Sequence, residues 1–360
     1  MATSDILIVG GGIIGCALAL RLAEEKLNVT VVERGEPGRE ASWAAAGMLA
    51  PTSEGPHFNP PEAELAAASA ALYPDWLDHW SLRDAAGYRT EGTLQVAFTE
   101  DEAAGLRSLP GEILTGAGAR RVEPALSERV VAAVFLSHDV QVDNRRLVEA
   151  VTQAAQKAGV KFRTGASVTE LRIESKRIIG VRTATGETLA AGAVVNAAGC
   201  WASQLDRQRT PTRPIRGQML ALRGPEGSGL RHVVRSPRGY ILPRKDGRFV
   251  IGSTSEDVGY DKNLTPTGLR QLLAAAIELV PSVASLPFAD AWAGLRPDSP
   301  DHLPILGATD IENYFAATGH YRNGILLAPI TAELVGDVIL GRKPRLSLEP
   351  FSPLRFAPGV

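Results

Sequence analysis

The 360-residue sequence predicts an α/β fold, a Rossmann-like dinucleotide-binding unit joined to a second, β-rich (α+β) unit. Three observations carry that expectation. Residues 5–33 read as strand, glycine loop, helix, strand and acid, in that order. A second apolar strand, Ala193-Val-Val-Asn-Ala-Ala-Gly199, runs straight into another small-residue turn, as a crevice at a topological switch point requires. Residues 88–140 and 214–255 are dominated by short alternating stretches of strand character.

The first element, Ile6 to Val9, is too short for a helix and rich in branched residues, so it reads as a buried parallel strand. Gly10, Gly12 and Gly15 then spell G-x-G-x-x-G, and Cys16 to Lys26 continues with helical spacing. Gly10 permits the tight turn, Gly12 lets the backbone approach a pyrophosphate, and Gly15 lets helix and strand pack closely. The pyrophosphate belongs on the free N–H groups of the helix N-terminus. Val29 to Val32 is the second strand, and Glu33 closes it about 20 residues beyond the loop, where an acid accepts from ribose hydroxyls and repels a 2′-phosphate.

The run Ala41-Ser42-Trp43-Ala44-Ala45-Ala46-Gly47-Met48 suits a backbone lying against a flat ligand, or equally an Ala-rich helix start capped by Ser42. Pro56 to Pro61 reads as a surface loop, and Glu62 to Arg83 as an amphipathic helix with Trp76 and Trp80 on one core-facing side. Tyr88 to Phe98 alternates like a half-buried strand, and Arg120 to Val140 reads as turn and strand. Asp143 caps a helix over 143–158. Short strands follow at Val160–Thr164, Val168–Ile173 and Ile178–Thr183, with Thr185-Gly-Glu as a hairpin turn. Leu269 to Val280 is a helix, Tyr314 to Thr318 a strand, and a helix runs from near Gly324 to about Leu340.

Composition excludes several classes. Lys plus Arg number 38 against 40 for Asp plus Glu, so no overall field favours nucleic acid or an anionic membrane. The basic residues at 231–248 lack the aromatic interleaving of a nucleic-acid platform. Cys16 and Cys200 make no disulfide framework, read as small buried residues, and fit a reducing compartment. Residues 6–20 carry no charge, yet Asp5, three consecutive glycines and Arg21 argue against a signal peptide, and the expected location is cytoplasmic. No metal-ligand spacing is present.

Together these stretches resemble the D-amino-acid-oxidase superfamily of FAD-dependent amine oxidoreductases, and within it the glycine oxidases of thiamine biosynthesis. The residues that carry the resemblance are Gly10 to Gly15 with Glu33, Ala41 to Met48, Val195-Asn-Ala-Ala-Gly199, Gly294-Leu-Arg296-Pro297 and Gly319-His-Tyr-Arg322-Asn-Gly324. The resemblance implies FAD rather than NAD, bound by residues 1–83, 141–213 and 290–360. It implies a substrate-binding unit inserted as residues 84–140 and 214–289. On this mapping FAD meets Gly10, Gly12, Ile13, Ile14, Gly15, Glu33, Arg34, Ser42, Ala45, Ala46, Gly47 and Met48. It also meets Val168, Ala197, Ala198, Gly199, Trp201, Gly319, His320, Arg322, Asn323, Gly324 and Ile325.

The implied reaction is oxidative deamination of glycine or a small amine or D-amino acid. A hydride passes to flavin N5 and O2 is reduced to hydrogen peroxide. A dehydrogenase with another electron acceptor, and a non-catalytic flavoprotein binding a partner, are the alternatives. Pinning an amino-acid carboxylate calls for the planar fork of arginine. Arg296 matches the carboxylate-binding arginine of the family, Tyr240 adds a phenolic hydrogen bond, and Arg322 lies beside the flavin. On residue type alone Arg296 reads more readily as a surface ion-pair member and Tyr240 as a core aromatic with a wet tip. The helix near Gly324 is expected to aim its N–H groups at the flavin. His320 is expected to be structural, since hydride transfer from a neutral amine needs no base. Ser255 is expected near the substrate, where side-chain size sets specificity. A homo-oligomer is expected from the resemblance.

Overall fold

The computed structural model describes residues 4–54, 58–225 and 229–356. Along the chain, β1 (Ser4–Val9), α1 (Ile13–Glu24) and β2 (Val29–Val32) are followed by α2 (Ala41–Ala44), β3 (Met48–Leu49) and α3 (Pro60–His79). Next come β4 (Thr93–Ala97), α4 (Glu100–Leu106), β5 (Glu112–Thr115), α5 (Gly116–Val122), β6 (Ala132–Leu136), β7 (Val140–Gln141) and α6 (Asn144–Lys157). The middle of the chain forms β8 (Lys161–Arg163), β9 (Val168–Glu174), β10 (Arg177–Thr183), β11 (Thr188–Asn196) and α7 (Ala202–Leu205). Then follow β12 (Arg213–Arg223), β13 (Val233–Ser236), β14 (Gly239–Pro243), β15 (Arg248–Gly252) and α8 (Pro266–Leu279). The chain closes with β16 (Phe288–Asp298), β17 (Ile305–Ala308), β18 (Tyr314–Thr318) and α9 (Ala328–Ile339).

The strands sort into two large sheets. In the first, the path is β17-β18-β11-β1-β2-β8, with β10 on β11 and β9 on β10. The pairs β1–β2, β1–β11, β11–β18 and β2–β8 are parallel, as expected of strands with both faces covered. Helices α1, α3, α6 and α9 bury one face, and the β9–β10 hairpin covers Leu7, Val9, Val194 and Tyr314 on the other. The second sheet runs β16-β12-β15-β14-β13-β4-β6-β5 and packs α8 against Leu220, Ile241 and Ile251. Its other face carries Met219, Leu242, Val250 and Trp292 against Ala44, Ala46 and Trp43. The two sheets therefore meet across the segment 41–48.

Asp143 caps α6 as expected, its Oδ1 accepting from the N–H groups of Arg145 and Arg146 at 3.2 and 3.3 Å. Several boundaries differ from the sequence reading. Helix α1 begins at Ile13, because the glycine turn is already complete there. Helix α3 begins at Pro60, a residue whose missing N–H costs nothing in a first turn, and stops at His79 rather than Arg83. Pro56 and residue 57 of the expected proline-rich loop lie outside the described residues. Arg120 to Val122 is helical, not a turn, because the Thr115 hydroxyl caps α5 at the Gly118 N–H, 3.1 Å away. Of the expected strand 88–98 only Thr93–Ala97 pairs regularly. Strand β16 runs unbroken across residue 290 while paired to β12, so Arg296 is held by the second sheet.

Candidate active site

The carboxyl ends of β1, β2 and β11 lie side by side, with Val9 registered to both Val32 and Asn196. The next residue of each strand, Gly10, Glu33 and Ala197, faces one elongated cavity that continues to the second sheet. Gly10 turns at φ +109°, and a Cβ there would stand 2.4 Å from the Ala197 carbonyl oxygen. A Cβ on Gly15 would stand 2.0 Å from the Gly10 carbonyl oxygen, so this glycine serves helix–strand packing and does not face the cavity. Gly319, at φ +73°, is likewise a turn residue behind the wall. All the other expected residues except Ser255 line this one cavity.

At the loop end, the Glu33 carboxylate accepts from the Gly11 N–H at 2.8 Å and the Gly35 N–H at 2.9 Å. The Ser42 hydroxyl does not cap its own helix; it accepts from the Ile13 N–H at 3.0 Å and so caps α1 from a distance. Arg34 stacks on Trp201 with 3.5 Å between guanidinium and ring centre. The loop after β15 reaches over from the second sheet. Lys262 pairs with Glu40 at 3.0 Å, and the Tyr260 hydroxyl donates to the Cys200 carbonyl at 3.0 Å.

At the far end, Arg296 projects from β16 into the space left by Gly217, where a Cβ would stand 2.4 Å from its guanidinium. One Nη donates to the Ser253 hydroxyl at 2.7 Å and the other to the Arg216 carbonyl at 3.3 Å. No carboxylate among the described residues pairs with it. Burial, with the nearby Arg322 charge, holds this guanidinium below its ordinary value. Tyr240 lies beside it, its hydroxyl 3.4 Å from the Met219 sulfur, and burial pushes the phenol up. Arg322 leans over the Tyr321 ring, 5.2 Å from its centre.

The sequence reading missed Ser253, Tyr321 and Glu54, which all line this end; Glu54 pairs with Arg235 at 2.6 Å. Ser255, expected here, is exposed and does not line the cavity, although its side chain hydrogen-bonds Tyr321, which does; Ser253, just past the end of β15, lines the wall instead.

His320 is buried and bonded to the Thr331 hydroxyl at 3.0 Å; burial drives its pKa down to about 3, so it stays neutral and structural. Asn323 donates to the buried Glu62 carboxyl at 2.9 Å, and burial raises that carboxyl to about 7. Helix α9 starts at Ala328, four residues later than expected, after a turn closed by the Leu327 N–H on the Asn323 carbonyl at 2.8 Å. Gly324 and Ile325 of that turn, rather than the helix itself, face the cavity.

The wall fits FAD. Ala46 and Gly47 are buried, and their N–H groups find no acceptor among the described residues. Such donors are left for water or for an acceptor on a bound ligand. With the Ile13 N–H taken by Ser42, the remaining first-turn N–H groups of α1 beside Gly12 suit a pyrophosphate. Glu33 keeps lone pairs for ribose hydroxyls.

Comparison with known proteins agrees with this geometry. Residues 5–338 match the DAO family of FAD dependent oxidoreductases. The chain is 40% identical over 98% of its length to the bifunctional protein ThiO/ThiG of Synechocystis sp., of which it covers 54%. It thus spans about half the length of that curated relative. It is 35% identical to a glycine oxidase of Geobacillus kaustophilus, covering 97% of this chain and 96% of that one. The crystal structure of glycine oxidase from Geobacillus kaustophilus superposes with a TM-score of 0.91 over 99% of both chains at 34% identity. With the glycine loop, Glu33 and the unpartnered donors of Ala46 and Gly47 in one wall, the chain belongs to the DAO family of FAD dependent oxidoreductases.

Proposed function

We propose that the chain catalyses oxidative deamination of glycine or another small amine or D-amino acid, with O2 as the final electron acceptor. The observation that carries this reading is Arg296, a cavity-facing guanidinium without a carboxylate partner among the described residues, in the same cavity as the glycine loop. The likeness to glycine oxidases over nearly whole chains supports it, and the ThiO/ThiG likeness supports a place in thiamine biosynthesis. The net change is balanced as amino acid, O2 and water giving oxo acid, ammonia and hydrogen peroxide.

FAD, when bound, supplies the two-electron acceptor. Gly12, Ile13 and Ile14 would hold its pyrophosphate, Glu33 its ribose, and the segments 42–48 and 319–325 its ring. Arg296 grips the substrate carboxylate through two parallel N–H donors, with Ser253 and the Arg216 carbonyl fixing the plane of the fork. Tyr240, kept protonated by burial, donates a further hydrogen bond to the carboxylate. Holding the carboxylate fixes the Cα in a near-attack pose. Neutral His320 takes no proton, so the amine must arrive unprotonated for its lone pair to drive departure of the Cα hydrogen. The two thiols, pushed up to about 12 by burial, take no part.

On this reading residues 1–83, 141–213 and 290–360 bind FAD, and 84–140 and 214–289 cover the substrate. Arg296 on β16 then belongs by sequence to the first group and by hydrogen bonding to the second sheet. Among the described residues no helix is long and apolar enough to cross a membrane. The test is a visible spectrum of the purified protein, then a peroxide assay in air on glycine, sarcosine, D-alanine and D-proline. Peroxide formed in step with amine consumed supports the oxidase. Dye reduction without peroxide would replace it with the dehydrogenase.

A further inference from the structure

Within the segment 42–47 the N–H groups of Trp43, Ala44 and Ala45 bond locally to Glu40 and Ala41, and the carbonyls tie it to more distant parts of the chain. Those of Ser42 and Trp43 accept from the Asn144 amide at 2.9 and 2.8 Å, and that of Ala44 from the Trp292 indole at 3.0 Å. The Gly47 carbonyl accepts from the Val142 N–H at 2.9 Å. The Ala46 carbonyl accepts from Arg244, a buried residue at the end of β14 in the second sheet.

Arg244 is unusual in its partners. Its other Nη donates to the Val142 carbonyl at 2.7 Å and the Gln141 side-chain oxygen at 3.0 Å, while the Nη that holds Ala46 also donates to the Asn144 amide oxygen at 3.3 Å. The nearest carboxylate oxygen, on Asp143, is 4.0 Å from its Nε, which itself has no hydrogen-bond partner. A buried cation is thus held mainly by neutral carbonyl dipoles. Burial lowers its pKa to about 10, which still leaves it charged at neutral pH.

A trans peptide points its C=O and its N–H in opposite directions, and the Ala46–Gly47 bond is not among the cis bonds. Fastening the Ala46 oxygen to Arg244 therefore turns the Gly47 N–H the other way, and Gly47 lines the cavity. The guanidinium also polarises the peptide it binds, which strengthens the N–H as a donor. We propose that Arg244, steadied by Asn144, is a positioning residue that sets the orientation and donor strength of the Gly47 N–H toward the flavin. It thereby favours the more electron-rich, reduced form of the bound ring. The inference rests on FAD occupying this cavity and not on the choice of substrate or electron acceptor.

The test uses the FAD-loaded protein with Arg244→Met, Arg244→Lys and Asn144→Ala. Three quantities are read: FAD affinity by flavin fluorescence, the midpoint potential by dye-equilibrated reduction, and glycolate affinity from the flavin absorbance change. Arg244→Met is expected to weaken reduced FAD at least tenfold more than oxidised FAD, a potential about 30 mV lower. Arg244→Lys should restore part of the shift, and Asn144→Ala should show a smaller shift of the same sign. Glycolate affinity should stay within twofold of wild type, since Arg296 is untouched. If Arg244→Met does not fold, the other two variants decide by the same readings. An unchanged potential and FAD affinity in a folded variant overturns the proposal. So does a potential shift that Arg244→Lys leaves wholly unrestored. Failure of the peroxide assay with these shifts present would refute the oxidase reading alone.

Discussion

Replacing Arg296 by alanine should convert the substrate end of the cavity from an anion site into an uncharged one. Two charge-assisted hydrogen bonds would be lost, each contributing about 1.5–3 kcal/mol. Water entering the vacated space recovers part of this, leaving a net loss of about 3–4 kcal/mol. At ~1.4 kcal/mol per factor of ten, kcat/KM for glycine should fall roughly 10²- to 10³-fold. The carboxylate does not change charge during the reaction, so most of the loss should appear in KM rather than kcat. Arg296→Lys should fall between wild type and Arg296→Ala, because it keeps the charge and loses the fork. The protein itself should not be destabilised, since the guanidinium has no carboxylate partner among the described residues and burial already disfavours its charge. The assay is steady-state peroxide release with glycine, paired with glycolate titration of the oxidised flavin and a melting curve. A variant that binds glycolate within threefold of wild type would refute the assignment of Arg296 as the carboxylate anchor.

Three further outcomes follow from the same wall. Glu33→Gln leaves one of the Gly11 and Gly35 N–H groups facing an amide NH2, so the FAD dissociation constant, read by fluorescence, should rise ~10- to 100-fold from one lost charged hydrogen bond. Ser253→Ala should raise KM for carboxylate substrates about fivefold by freeing the Arg296 fork. Glu62 titrates at about 7 in the folded protein against an ordinary 4.5. The folded state thus holds that proton more tightly than the unfolded chain. The stability this gives is complete below the unfolded value and lost as pH rises through about 7. Glu62→Gln, which keeps the acceptor for Asn323, should therefore match wild type in melting temperature at about pH 4 and exceed it at about pH 8. The difference should be at least about 1 kcal/mol, because the carboxyl is raised by more than one pKa unit and each unit is about 1.4 kcal/mol.

What could be read from the sequence was what short-range geometry dictates. The turn at Gly10, the packing of Gly15 and the acid at position 33 follow from a strand–loop–helix–strand unit whose parts are neighbours in the chain. Arg296 and Tyr240 were reachable through resemblance, because their motifs are distinctive but their residue types are not. Ser253 and Glu54 gave no signal, and Tyr321 was quoted only as part of a motif, without a role of its own. Ser253 reaches the cavity at the end of β15, whose pairing to β12 registers Met219 with Gly252. Tyr321 is held by its N–H on the Pro297 carbonyl at 2.8 Å, and Glu54 by its ion pair with Arg235. Ser42 shows the same limit from the other side. Its local pattern suggests a cap for its own helix, yet the fold lends its hydroxyl to the Ile13 N–H, 29 residues away in the chain.

The wall around the cavity is contributed by residues as far apart as Val9 and Ile325. A chain emerging from the ribosome therefore has no complete nest for the dinucleotide until translation has passed residue 325. Whatever FAD adds to stability is added only to the finished fold, in proportion to the logarithm of its free concentration over its dissociation constant. Flavin supply then governs how long newly made chains remain vulnerable to proteases, and a riboflavin-starved cell should lose this protein by turnover after synthesis rather than by slower translation.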